Sequence, residues 1–205
     1  AGQLKKQYPD AQICFAGRKK GMEYRLVTAA GYPFYPIEVR GFQRSFAPKN
    51  IVRNFAALFW LAVSPVRCAA ILKQVQPDLV IGTGGYASFP ALYAAQTMGV
   101  PTCVHEANAL PGITTKLAAN KADRVLVAFA ESVQHYKNPE KVEVVGMPIR
   151  SEFVTTKQAD AKRELGLEGK PVVVSAFGSL GAKVMNETMA DMMPLEKADN
   201  FPFHH

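Results

Sequence analysis

The apolar run Leu79-Val80 leads into Ile81-Gly82-Thr83-Gly84-Gly85-Tyr86-Ala87-Ser88-Phe89-Pro90, and the helical pattern Ala91-Leu92-Tyr93-Ala94-Ala95 follows at once. A strand that ends in glycines and passes straight into a helix constrains this chain more than any other segment. Glycine has no Cβ, so backbone N–H groups in such a turn can come close to a ligand. The helix start adds partial positive charge at the same place. The segment suits a phosphate or diphosphate, and equally a tight turn with no ligand.

The same alternation runs along the chain. Strands are expected over residues 11–15, 34–39, 79–81, 101–106, 124–128 and 142–145. Helices are expected over 3–8, over 23–30 with Gly31 as a stop, over 50–75 with a break near Pro65, up to Gly99, and over 111–120. The strands read as near-continuous apolar runs, which suits a parallel sheet covered on both faces. The fold expected is a doubly wound α/β domain. Functional loops then fall at the carboxyl ends of strands, where the glycine turn, His105-Glu106 and Gly146-Met147-Pro148 lie.

Residues 1–155 form this first domain, and 156–205 read as a linker and the start of a second α/β domain. There a helix over 162–167 precedes a strand over 171–176, the turn Phe177-Gly178-Ser179-Leu180-Gly181-Ala182 and a helix over 183–193. One strand and one helix cannot bury both faces of the strand. The chain also opens inside a helix. The expectation is a piece of a longer protein, cut at both ends; His204 and His205 carry no weight.

With 48% hydrophobic and 20% charged residues among 205, the composition is that of a globular protein with a real core. The net charge of +7 favours an acidic partner, either anionic lipid or a phosphorylated substrate. Nucleic acid fits poorly, because the chain has no recognised binding module and no long basic tract. Cys14, Cys68 and Cys103 sit in apolar runs and read as buried free thiols, with no metal or redox spacing. Residues 55–63 are apolar but too short to span a bilayer. Arg40, Arg44, Lys49, Arg53, Arg67 and Lys73 surround Phe55, Leu58, Phe59, Trp60 and Leu61. That pattern suits contact with anionic lipid, and equally an amphipathic helix packed on the sheet.

Four motifs occur in order: Gly82-Thr83-Gly84-Gly85-Tyr86, His105-Glu106-Ala107-Asn108, Val145-Gly146-Met147-Pro148-Ile149-Arg150, and Gly178-Ser179-Leu180-Gly181-Ala182 with Asn186. Together they resemble the MurG family of glycosyltransferase family 28, over almost the whole chain. The resemblance implies two doubly wound domains around a cleft, the GT-B arrangement. It implies inverting transfer of N-acetylglucosamine from UDP-GlcNAc to lipid I, the undecaprenyl-diphosphate-linked N-acetylmuramoyl-pentapeptide, giving lipid II for peptidoglycan. It implies no cofactor, no metal, and peripheral attachment to the cytoplasmic face of the bacterial cell membrane.

By the same resemblance Gly84, Gly85 and Tyr86 meet the acceptor diphosphate, and Asn108, Arg150 and Ser179 serve the UDP-GlcNAc donor. His105 and Glu106 are candidates for catalysis, without an assigned base. Phe55, Phe59, Trp60, Arg53 and Arg67 would touch the membrane. Taken alone, Asn108 could instead cap the following helix. Phe89 and Phe177 stand where many members carry glycine, and Ala107 and Leu180 where many carry glutamine. The family's first glycine loop would precede Ala1 and most of the donor domain would follow His205, so this stretch is expected to be inactive alone. A non-catalytic lipid-diphosphate-binding or membrane-docking subunit of a split glycosyltransferase is the alternative from another class.

Overall fold

The computed structural model describes residues 1–39, 48–169, 172–174, 182–199 and 203–204; within them, side chains are described except at 48–59, 61–62, 182, 195–199 and 203–204. Two compact units divide the chain, Ala1–Met147 and Pro148–His205.

The first unit alternates α1 (Gly2–Gln7), β1 (Phe15–Gly17), α2 (Met22–Ala29), β2 (Phe34–Pro36), α3 (Pro48–Val75) and β3 (Val80–Gly82). It continues with α4 (Gly85–Thr97), β4 (Thr102–Glu106), α5 (Ile113–Ala119), β5 (Arg124–Val127) and β6 (Val142–Val144). Strands β3 to β6 form one parallel sheet in chain order, and β1 pairs with β2, also in parallel. Parallel neighbours need a crossover. Helix α4 makes it between β3 and β4, and α5 between β4 and β5. The second unit holds α6 (Glu152–Thr155), α7 (Gln158–Glu164), β7 (Val173–Val174), α8 (Ala182–Asp199) and β8 (Phe203–His204), with β7 and β8 in parallel.

Register decides which side chains enter the core. Gly82 lies beside Val104, Val104 beside Val125, and Glu106 beside Val127, so these share one face. On that face Leu92 of α4 and Ala118 and Ala119 of α5 pack with Val104, Val125 and Val127. Gly82 has to be glycine, because a Cβ there would strike Leu92 Cδ1 and sit 2.9 Å from its Cγ. A second cluster joins Cys68 and Leu72 of α3 to Ala94 and Ala95 of α4, with Ile37 and Val39. After α4 the chain reverses at Gly99, φ 74°. The Val100 N–H donates to the Ala95 carbonyl at 2.9 Å, the Schellman closure that hands the chain to β4.

The parallel α/β architecture is the one the sequence announces, but several details differ. The sheet face opposite the core is half open: Ile81 is 47% exposed, and Cys103 and Leu126 are half-buried. An apolar run says that a strand can be covered on both sides, not that a helix lies against each. Helix α3 continues through Pro65. The missing N–H forfeits one intrahelical bond, while Cys68 and Leu72 anchor the following turns in the core. Helix α4 starts at Gly85, well before Ala91, with Pro90 buried inside it. The Ser88 hydroxyl bonds to the Gly84 and Gly85 carbonyls, both at 3.0 Å, and tightens that first turn. Of the three thiols only Cys68 is buried, and burial pushes it up to about 11; Cys14 is exposed and Cys103 half-buried.

Candidate functional site

The glycine turn sits where β3 hands over to α4. Gly84 has φ 83° and ψ −179°, and Gly85 has φ 71°. The first pair lies in a region that only glycine occupies without strain. Because α4 begins at Gly85, the first N–H groups of the helix belong to the turn and have no intrahelical acceptor. Tyr86, in the first helical turn, is exposed, and its hydroxyl accepts a hydrogen bond from Arg18 Nη1 at 2.7 Å. Arg18 directly follows β1. The turn therefore combines free N–H groups, a phenol and a guanidinium, a set of donors suited to an anion. Sequence reasoning missed Arg18. The expected strand over residues 11–15 ended too early to show it, whereas in the structure Arg18 stands one residue past the carboxyl end of β1.

The strand beside it, β4, ends in His105 and Glu106, both buried. His105 Nε2 lies 3.1 Å from the Gly146 carbonyl, which can only accept, so Nε2 carries the hydrogen of this bond. Glu106 Oε1 accepts from the Asn108 backbone N–H at 3.0 Å and from Asn108 Nδ2 at 2.7 Å. Its Oε2 accepts from the Gly112 N–H at 3.3 Å. Burial pushes this carboxyl up, but the Thr115 hydroxyl, the two Asn108 donors and the Gly112 N–H together hold it below the usual carboxylate range. The Thr115 hydroxyl acts from outside hydrogen-bonding geometry, since it has no protein partner that meets it. The ionised carboxylate in turn combines with burial to push Tyr136 up to about 12, burial being the larger cause.

Asn108 is exposed, and its loop is held from behind by Ser132, whose hydroxyl lies 3.1 Å from the carbonyls of Asn108 and Ala109. It does not cap α5. Gly112 occupies that position without a side-chain cap, and the Glu106 carboxylate takes up the Gly112 N–H instead. Glu106 also abuts the glycine turn, where a Cβ on Gly84 would come 3.9 Å from its Oε1 and 3.4 Å from the His105 carbonyl. The structure thus gathers Gly84, Gly85, Tyr86, Glu106 and Asn108 around the carboxyl ends of β3 and β4.

Arg150 belongs to the second unit, exposed, with its guanidinium 5.4 Å from the Phe153 ring centre. Ser179 lies outside the described residues, as do the side chains of Arg53, Phe55 and Phe59. Trp60 is half-buried and Arg67 exposed. Beside α5, Ile113, Lys116, Leu117, Asn120, Tyr136 and Lys137 line a shallow groove of about 250 Å³ that the sequence did not reveal. Among the described residues, no group of three His, Cys, Asp or Glu side chains is placed to hold a metal ion.

A depressed carboxylate makes stability depend on pH in a definite direction. Glu106 contributes fully above the usual glutamate value, about 4.3, and loses its contribution as pH falls through its lower folded value. The stability gap between wild type and Glu106→Gln is expected to narrow as pH drops from about 7 to about 3. Urea unfolding at stepped pH measures it, and a gap constant over that range would mean that the charge contributes nothing.

The family model for the glycosyltransferase family 28 N-terminal domain matches residues 1–127. The chain is 39% identical over 191 residues to the UDP-N-acetylglucosamine--N-acetylmuramyl-(pentapeptide) pyrophosphoryl-undecaprenol N-acetylglucosamine transferase of Ruminiclostridium cellulolyticum, covering 93% of this chain and 51% of that one. It is 38% identical over 199 residues to the protein of the same name from Bacillus licheniformis, covering 96% and 53%. The chain thus spans about half the length of the curated relatives it matches. Among solved structures, Acinetobacter baumannii MurG matches with a TM-score of 0.61 at 26% identity, over 94% of this chain and 48% of that one. Anabaena Alr3699/HepE in complex with UDP matches with a TM-score of 0.58 at 14% identity, over 98% and 63%, which is a likeness of fold alone. With its N-terminal domain model matched over more than half its length, the chain belongs to glycosyltransferase family 28.

Proposed function

We propose that this chain is the acceptor-side portion of an inverting N-acetylglucosaminyltransferase. The complete protein moves N-acetylglucosamine from UDP-GlcNAc to the C4 hydroxyl of the N-acetylmuramoyl sugar of lipid I. One observation carries this reading: the Gly84 turn and the Asn108 loop stand at the ends of adjacent strands, with the Glu106 carboxylate bonded to the Asn108 loop and lying close to Gly84. The names of the relatives agree with it.

The acceptor hydroxyl gives up its proton to a base and attacks the anomeric carbon while UDP leaves, so the centre inverts in one displacement. The N–H groups of the turn, Tyr86 and Arg18 receive the acceptor diphosphate. Asn108 reaches a sugar of the donor, and Arg150 and Ser179 are assigned to the donor by the family motifs they match. His105 and Glu106 are buried and committed to backbone partners, which suits holding the site more than accepting a proton from substrate. The protein works at the cytoplasmic face of the membrane, with Arg53, Phe55, Phe59, Trp60 and Arg67 against anionic lipid. In support, Arg67 is exposed on α3.

Transfer of radiolabelled GlcNAc to a lipid I analogue by the complete protein tests the site. Asn108→Ala and Arg150→Ala are each expected to lower kcat/KM about tenfold or more, the loss of one good hydrogen bond or charge contact. Full activity in both variants would refute the donor assignments. Arg67→Glu is expected to weaken binding to anionic liposomes several-fold, at about 1 kcal/mol per basic residue near the surface. Unchanged binding would remove Arg67 from the membrane face.

A further inference from the structure

Glu106 is surrounded by donors. Its carboxylate, 2% exposed, receives the Asn108 N–H, the Asn108 side-chain NH2 and the Gly112 N–H. An ionised carboxylate can only accept, whereas an asparagine amide has one donating end and one accepting end. The Asn108 amide therefore has its NH2 turned to Glu106, and this orientation follows from the chemistry of the partner. Its Oδ1 is the end left for solvent, where Asn108 is exposed. The backbone on either side is pinned as well, by Ser132 to the Asn108 and Ala109 carbonyls and by Glu106 to the Asn108 and Gly112 N–H groups. Neither the loop nor the amide can turn over without taking a donor away from the buried Glu106 carboxylate.

We propose that Glu106 is a positioning residue that fixes the polarity of Asn108, so that Asn108 offers a ligand an acceptor and recognises a hydroxyl or an amide N–H. This rests on the glycosyltransferase reading and sharpens it. A phosphate oxygen is itself an acceptor and finds no partner in Oδ1, while the donor-rich Gly84 turn next to it suits phosphate. The two adjacent strand ends are thus divided by hydrogen-bond polarity, donors at β3 for a diphosphate and an acceptor at β4 for a sugar.

The test uses the complete protein with both substrates. In Glu106→Gln the new amide NH2 meets either the Gly112 N–H or the Asn108 backbone N–H, donor against donor at both ends, and at the second end the Asn108 side chain must also present NH2 outward. A loss of kcat/KM of about tenfold, similar to that of Asn108→Ala, is expected. Asn108→Asp alone sets two carboxylates against each other and is expected to be at least as damaging. In the double variant Glu106→Gln/Asn108→Asp, one oxygen of the introduced carboxylate accepts from the introduced amide while the other restores an outward acceptor, and only the backbone N–H of position 108 is left without its carboxylate partner. Its activity is expected to recover several-fold over either single variant, a reversal that a merely structural role does not produce.

A rise in KM for UDP-GlcNAc alone assigns the recognised group to the donor sugar, and a rise for the lipid alone assigns it to the acceptor sugar; either outcome supports the polarity. Additive losses in the double variant, or a Glu106→Gln enzyme as active as wild type, overturn the proposal. An Asn108→Ala enzyme as active as wild type overturns the glycosyltransferase reading of this loop itself, and the polarity proposal with it. If Glu106→Gln does not fold, selectively 15N-asparagine-labelled wild type decides. The Asn108 side-chain amide signals are expected to shift as Glu106 takes up its proton in acid, and signals indifferent to that step overturn the proposal.

Discussion

Leu92→Ala is expected to destabilise the first unit by about 2–5 kcal/mol, the range for truncating a buried leucine. Leu92 is 1% exposed and occupies the space that Gly82 leaves by having no side chain. The walls of the resulting cavity are the β3 backbone and the packed side chains of Val104, Val125 and Val127. A strand backbone held in a parallel ladder cannot collapse into a void as a flexible side chain can. The cost should therefore fall in the upper part of the range. Urea unfolding should show a lower midpoint with an unchanged slope. The matched substitution Leu117→Ala, at a side chain 53% exposed on α5, should stay within about 0.5 kcal/mol. Equal effects at the two positions would mean that α4 is not packed on the sheet as described.

Gly84→Ala is expected to cost about 1–3 kcal/mol of stability, because φ 83° with ψ −179° is backbone that an alanine adopts only under strain. In a chain of this size that corresponds to a fall in Tm on the order of 5 °C. The added Cβ would also press on the His105 carbonyl at 3.4 Å. The backbone relieves this by shifting, which moves the free N–H groups at the start of α4. In the complete protein the KM for the lipid acceptor should rise about tenfold, the loss of one charge-assisted hydrogen bond, with the KM for UDP-GlcNAc nearly unchanged. A rise in the donor KM instead would assign the turn to the nucleotide sugar. An unchanged Tm would show that the turn is not held in this conformation.

Much of this was legible in the residues alone. The alternation of apolar runs with helical patterns announced a parallel α/β sheet, because strand and helix periodicities are local properties of a sequence. The four ordered motifs pointed to glycosyltransferase family 28. Helix boundaries were less legible. Pro90 and the glycines before it read as one long turn, yet only Gly84 and Gly85 bend the chain, and α4 has begun by Tyr86. Pro65 read as a break, but packing of the residues after it carries α3 through. Taken alone, Asn108 read better as a helix cap, and only the family motifs turned it toward a ligand, since capping residues and ligand-binding residues are chemically the same. What separates the two roles is the carboxylate of Glu106, which occupies the amide's donating end and the α5 N-terminus together.

The fold class, the succession of strands and helices and the requirement for glycine at the turn were all readable from the residues in line. Each follows from the local backbone and from the spacing of apolar residues. It took the folded chain to bring Arg18 to Tyr86 across 68 positions, to fit Leu92 over Gly82, and to close the hydrogen bonds of Glu106 around the Asn108 loop. Those contacts depend on the register of neighbouring strands and on which sheet face a helix covers. Neither is written in any short stretch of residues, because register and coverage are fixed by the joint packing of segments far apart in the chain.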